Sequence, residues 1–519
     1  MGLQQMSGRT RMLVFGVMAL GMFMSLLDVQ IVAASLPEVE AGLSAGADEG
    51  SWVQTSYLIA EIVMIPLSGF LSRAFSTRWL FTASAAAFTV SSIACGFAWN
   101  LPVMIAFRAV QGFVGGAMIP TVFATGFVLF QGKKQALIPA ILGIVATMAP
   151  TLGPTLGGWI TDRLSWHWLF FINVVPGLAI TALVPIYAKV DEPDPEVLNG
   201  FDPFAIPLMA MFLGGLEYVL EEGPRWDWLE DPAIRTVAAL SAVSALFFFY
   251  TCFSHPKPVV DLRIFRNIRF AMACLFQFSL GIGVFTSIYL IPQYLAGVQG
   301  YRSIDIGRAV FITGVAQIIS TPFAAALSRK FDPRHMILFG FSLFALSLWQ
   351  LGSLDSTWGG EQLWWPQALR GFAMMFCIVP ATNMALGDMP PQWLKTASGL
   401  SNLMRNLGGA IGIAGANTVI NHRFHLHYTR IVETVTTANP NVDPFLAGLA
   451  RQMQAQAPST AEQQQMSMGL LNQLVNREAM TMTYADSFLL IAAIFLLTLT
   501  VLPFSRSIRP TAGGSGGEH

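Results

Sequence analysis

Charge is what this 519-residue chain has least of: Asp, Glu, Lys and Arg make up 11% of it, against roughly 25% in an ordinary soluble domain. A soluble fold so poor in charge could not cover its own surface, so lipid must take the place of the missing polar surface. Cysteine is scarce as well. Cys95, Cys252, Cys274 and Cys377 all lie inside apolar runs, with no CxxC and no ligand spacing, and read as small buried apolar residues. The formal net charge of -1 and the lack of clustered Lys and Arg exclude a nucleic-acid partner. There is no HExxH, no paired GxSxG motif and no Walker lysine, so neither an enzyme nor a cofactor is expected. His422, His425 and His427 have no acid or Cys near them in sequence, so no metal site is expected either.

What the chain does have is apolar length: 54% of its residues are hydrophobic. A helix crossing the hydrocarbon needs about 20 largely apolar residues. Fourteen such segments are expected, at 12–35, 52–72, 79–98, 102–128, 136–160, 168–188, 204–221, 233–253, 270–292, 308–328, 335–353, 363–387, 397–420 and 486–505. The first is too long for a signal peptide and carries Asp28, so it reads as a spanning helix despite the faint cleavage pattern at Ala33-Ala34-Ser35. Two connections are long: an acidic, Pro-rich linker at Asp191–Pro203, and a polar stretch from His422 to Ala485. With the N-terminus inside, alternate loops hold seventeen Lys and Arg inside and five in the short outside loops. That imbalance puts both termini in the cytoplasm.

An internal repeat divides the chain. Leu71-Ser72-Arg73-Ala74-Phe75-Ser76-Thr77-Arg78 is echoed at Leu327-Ser328-Arg329-Lys330-Phe331-Asp332-Pro333-Arg334, and Ala106-Phe107-Arg108 with Pro120 at Ala368-Leu369-Arg370 with Pro380. The expected fold is therefore an all-α polytopic membrane protein of two six-helix halves, residues 1–190 and 261–519. A linker and two inserted helices occupy 191–260, and an outside loop 422–485. Repeated six-helix halves are a transporter architecture with the binding site between them.

Ionisable groups inside apolar spans mark a pathway or a coupling site by default. Asp28 and Glu61 suit groups that take up and release a proton each cycle; the alternative is a permanent ion pair of either with Arg108. Gln111, on the face of Arg108 at helical spacing, is assigned to a substrate cavity with Glu217 and Arg405. The plainer readings are a solvated acid at headgroup level for Glu217 and a structural anchor for Arg405 and Arg370. The run Gly143 to Gly158 spaces small residues three or four apart and includes Pro150 and Pro154, a pattern for close helix approach and bending.

These residues resemble a known family. Leu26-Leu27-Asp28 through Leu36-Pro37, Arg108 to Gly116, Gly153-Pro154 with Gly157-Gly158, Trp166 to Asn173, and Ala397 to Gly409 are similar to motifs of the fourteen-helix drug:proton antiporters of the major facilitator superfamily, the EmrB/QacA group. The resemblance implies the major facilitator fold and a bacterial inner-membrane location. It also implies proton-driven export of small amphipathic toxic compounds, with a dedicated exporter of a metabolite, lipid acid or siderophore as the alternative. Proton coupling then falls to Asp28 and Arg108, with Glu61 added as an acid inside a span although it is not part of the family's general motif set, and conformational control to Arg73, Arg78, Gly153, Pro154, Gly157 and Gly158. Two motifs depart from the family. In the helix 2–3 loop Arg73 stands in place of the acid and Ser76 in place of the second glycine, so a charge latch there is not expected. The first-helix motif has Gln30 and Ala33 near the positions of its usual Thr and Asn. In the outside stretch, Leu470, Leu471, Leu474 and Val475 share one helical face that needs a cover. That cover is either the transporter's own surface or a partner. The EmrB-like branch implies a periplasmic adaptor protein leading to an outer-membrane channel.

Overall fold

The computed structural model describes residues 6–130, 132–135, 137–435, 442–453 and 460–504. Among them there is no strand, and the chain is built from helices α1 (Gly8–Ala34), α2 (Leu36–Leu43), α3 (Ala47–Gly50), α4 (Trp52–Gly96), α5 (Leu101–Gly115), α6 (Met118–Leu129), α7 (Leu137–Arg163), α8 (Trp168–Phe171), α9 (Val174–Tyr187), α10 (Ala205–Glu222), α11 (Pro232–Ser254), α12 (Ile268–Gly297), α13 (Ser303–Leu327), α14 (Pro333–Leu351), α15 (Trp364–Leu386), α16 (Pro391–Thr434), α17 (Val442–Met453) and α18 (Thr460–Leu499).

Ten helical stretches among the described residues are long and apolar enough to cross a membrane. One of them, α4, has 45 residues, about 68 Å of helix and enough for two passes. The three remaining expected segments lie on α10, α14 and α16. The helix starts are written in the sequence. Ser7, Asn100, Asp231, Asn267 and Asp332 each accept a hydrogen bond from a first-turn N–H, with Pro102, Pro232 and Pro333 in three of those turns.

The reversal of α4 falls at Ser76, whose φ of 71° and ψ of 154° break the helix. This backbone favours glycine, the residue the family usually has there. The break leaves the N–H of Thr77 free of a helical partner.

The helices α1, α4, α5 and α9 pack chiefly on one another, and so do α12–α16 and α18, while α7 lies as much on α13 and α15 as on α1. The two groups meet where α16 crosses α4 and α6 and where α13 and α15 lie on α7. α10 packs on α11, α4 and α16.

In the stretch His422–Ala485, expected as an outside loop with one apolar helical face, the described residues are almost all helical. α16 runs on to Thr434, α17 follows, and α18 starts at Thr460; residues 454–459, in the Gln-rich part, lie outside the described residues. The apolar stripe has its cover within the chain: Leu471 and Val475 are buried with Leu449, against Tyr428, Ile431 and Leu446 of α16 and α17. His427 also finds an acid the local sequence did not show, because α18 brings Asp486 to 2.8 Å of its Nε2, with Arg423 on the same carboxylate.

Candidate transport site

The α1, α4, α5 and α9 helices converge on Asp28. Its carboxylate is fully buried and pairs with Nη1 of Arg108 at 2.5 Å. Gln111 Nε2 donates to it at 3.0 Å and Asn173 Nδ2 at 2.7 Å. Arg108 spends a further donor on the carbonyl of Val53 at 3.1 Å and another on Gln111 Oε1 at 2.9 Å. Its guanidinium lies 4.3 Å from the centroid of the Tyr57 ring, a favourable place for a desolvated cation. Tyr57 and Ser25 share a hydrogen bond, and Ser92 holds Asn173 from the other side. Two opposite charges this deep are tolerated only when hydrogen bonds surround them; here every donor group of Arg108 but Nη2, which has no hydrogen-bond partner among the described residues, is used. Asp28 is thus paired with Arg108 in this structure, an arrangement that both the coupling reading and the permanent-pair reading of Asp28 contain.

Glu61 is buried one turn beyond Tyr57, with no hydrogen-bond partner among the described residues. The three residues assigned to one substrate cavity do not come together. Gln111 is fully buried as a ligand of Asp28. Glu217, on α10, is buried rather than solvated, and its Oε2 has no partner among the described residues. Arg405 donates to Asn402 Oδ1 and sits 5.6 Å from the ring centroid of Phe123.

The small residues of α7 face their own neighbour. A Cβ on Gly153 would meet the Gln30 side chain at 2.6 Å, and one on Gly157 would meet Ser35 Oγ at 2.7 Å, both at the end of α1. Pro154 and Gly158 are half-buried beside them. The opposite face lies on α13: Thr155 against Gly307, Thr151 against Gly314, and the Gly143 carbonyl accepting from Gln317 Nε2 at 3.1 Å. The glycines thus fix α7 to α1, and the threonines make the contact with the other helix group.

Sequence reading found no acid for a latch at the helix 2–3 loop. The structure supplies one from the linker. Both carboxylate oxygens of Asp191 accept from the freed N–H of Thr77 at 3.0 Å, Thr77 Oγ1 adds a third bond, and Lys395 of α16 closes the cluster. Lys395 also donates to the Ser72 carbonyl at 2.7 Å. Around it, Gly69 lies against the Lys395–Thr396 backbone and Ser398 Oγ donates to the Pro120 carbonyl. Arg73 turns back to the Gly69 carbonyl and Arg78 stacks on Trp79, so neither enters the latch. Asn173 was visible only as part of an aromatic run, and Asp191 only as the start of an acidic linker.

With this geometry in view, the sequence profile of the Major Facilitator Superfamily matches residues 18–413. The chain belongs to the major facilitator superfamily. Its relatives in that superfamily include the colistin resistance protein EmrB of Acinetobacter baumannii, 37% identical over 94% of this chain and 95% of that one. The multidrug export protein EmrB of Escherichia coli K12 is 30% identical over 97% and 96%, and the fatty acid resistance protein FarB of Neisseria gonorrhoeae 28% identical over 96% of both. The fold is shared with the proton:xylose symporter XylE at a TM-score of 0.60 and 14% identity, covering 97% of each chain. Superfamily and fold are those of multi-pass membrane transporters rather than of enzymes.

Proposed function

We propose that this protein is a proton-coupled multidrug exporter of a bacterial inner membrane, with both termini cytoplasmic. In this reading residues 1–190 and 261–519 are the two units that rock about a central site, with 191–260 inserted between them. The observation that carries it is the buried Asp28–Arg108 pair inside a chain similar over almost its whole length to multidrug export proteins.

A proton arriving on Asp28 cancels the charge that holds Arg108 and frees the guanidinium to turn toward Glu61, one helical turn along α4 from Tyr57. Gln111 and Asn173 remain to hold the neutral carboxyl. Proton uptake on one side and release on the other would then bias which face of the protein is open.

The test is proton flux and ethidium transport in proteoliposomes under an imposed pH gradient. Wild type couples the two, whereas Asp28→Asn shows neither; coupled transport by Asp28→Asn would remove Asp28 from the mechanism. The reading extends to a periplasmic adaptor protein and an outer-membrane channel. Since Leu471 and Val475 are covered internally, an adaptor would meet the outer face of the α16–α18 extension, where Val432, Phe445 and Met468 are exposed. Replacing residues 430–475 by a Gly/Ser linker should then lower export in whole cells while transport in proteoliposomes persists. Full export by such cells would leave the extension without a docking role.

A further inference from the structure

Arg108 and Arg370 look equivalent in sequence, but the packing sets another register. Arg108 donates to the carbonyl of Val53; on the second group of helices, Gln367 Nε2 donates to the carbonyl of Ala309 at 3.0 Å. A Cβ on Gly112 would meet the Tyr57 backbone at 2.2 Å, and one on Gly371 would meet the Thr313 backbone at 2.1 Å. Both comparisons pair α5 with α15 at an offset of 259 and α4 with α13 at an offset of 256. Gln367 therefore occupies the position of Arg108, and Arg370 that of Gln111.

In the first unit a neutral amide stands beside a neutralised cation. In the second, a cation stands where the amide was, and among the described residues no carboxylate pairs with it. Arg370 is 3% exposed and forms no ion pair among the described residues. Nη2 donates to Thr313 Oγ1 at 3.3 Å, while Nε and Nη1 have no partner among the described residues. An isolated buried charge is costly unless it is paired.

The guanidinium borders a cavity of about 30 Å³ whose walls include Thr147 and Thr151 of α7, Ser287, Ile288 and Ile291 of α12, and Thr313 of α13. The free space accepts a group of roughly the size of one water or one carboxylate head. One wall is the helix of Pro150 and Pro154, and the others belong to the opposite helix group. A ligand held there touches both.

We propose that Arg370 is the anion-recognition residue of a substrate site between α7 and α12–α13, receiving the carboxylate of an amphipathic organic acid. The proposal rests on the export reading and names a substrate class for it. The unspent donors of Arg370 meet the carboxylate oxygens, and Ile288 and Ile291 meet the start of the apolar tail.

The test uses the full-length protein in detergent and three probes with one tail: decanoate, decanol and decyltrimethylammonium. Binding is read from tryptophan fluorescence and from the thermal unfolding midpoint, in gluconate and in chloride buffers. Wild type should bind decanoate roughly tenfold or more tighter than the other two, the worth of one charge-assisted contact. Arg370→Gln should abolish the preference, and Arg370→Lys should keep part of it. Equal affinity of wild type for all three probes overturns the proposal even if no variant folds. Stabilisation by chloride that Arg370→Gln loses, without any preference for decanoate, identifies an inorganic anion site and also overturns it. Ethidium transport by wild type in proteoliposomes is measured alongside. If it is proton-driven while the carboxylate preference is absent, the export reading stands and this assignment alone fails.

Discussion

Lys395 of α16 reaches the carboxylate of Asp191 across 204 residues of chain, and the same carboxylate caps the helix that restarts at Thr77. One acid thus joins the linker, the α4 reversal and the opposite helix group. Neither partner is more than 21% exposed, so solvent screens the pair less than it would a surface pair.

Asp191→Asn should therefore loosen the contact between α4 and α16. The expected loss is about 1.5–3 kcal/mol, the worth of a hydrogen bond to a charged group, or roughly a ten- to hundredfold shift in the open–closed equilibrium. Labelling of a cysteine placed at Ser72 reads the change. Lys395→Gln should give the same increase, and unchanged labelling in both variants would deny the latch.

Asp28→Asn keeps the shape of the network but leaves Arg108 buried without a counter-charge. Thermal unfolding should show a loss of about 3–5 kcal/mol. The double variant Asp28→Asn/Arg108→Gln should recover most of that stability and none of the proton-coupled transport. Recovery of transport with stability would assign the pair a purely structural role.

The two faces of α7 should respond differently to bulk. Gly157→Leu presses on Ser35 and Ile31 of α1 and should cost stability, about 1–3 kcal/mol by overpacking. Thr155→Leu presses on Gly307 of α13; it should slow transport while the unfolding midpoint stays near wild type. Identical profiles for the two variants would erase the distinction between the faces.

Ser76 holds a backbone that an L side chain adopts at a cost of about 1–3 kcal/mol. Ser76→Gly should raise the unfolding midpoint by the equivalent of ~1 kcal/mol, and Ser76→Val should lower it. A lower midpoint for the glycine variant would mean that the Ser76 hydroxyl, 3.5 Å from the N–H of Trp79, matters more than the backbone.

The helices were legible in the sequence because each expected segment is a local run of apolar residues, a few of them opened by caps such as Asn100, Asp231 and Asp332. The membrane setting followed from the shortage of charge, and the superfamily from short motifs that keep their spacing along one helix. Partnerships between helices were hardly legible, since they depend on packing between residues far apart in the chain. A pair with Arg108 stood only as one reading of Asp28 or Glu61, and the bonds from Gln111 and Asn173 to Asp28 were not visible at all. Asp28 showed no basic neighbour in sequence and has one 80 residues away; the acid missing from the helix 2–3 loop arrives from Asp191, 114 residues beyond Thr77. The described residues after His422 form helices α16, α17 and α18, in which Leu449, Leu471 and Val475 cover one another. The sequence repeat aligned Arg370 with Arg108, about one turn away from the register of the packing, because the close approach of Gly371 to the Thr313 backbone sets the register there, and sequence likeness does not.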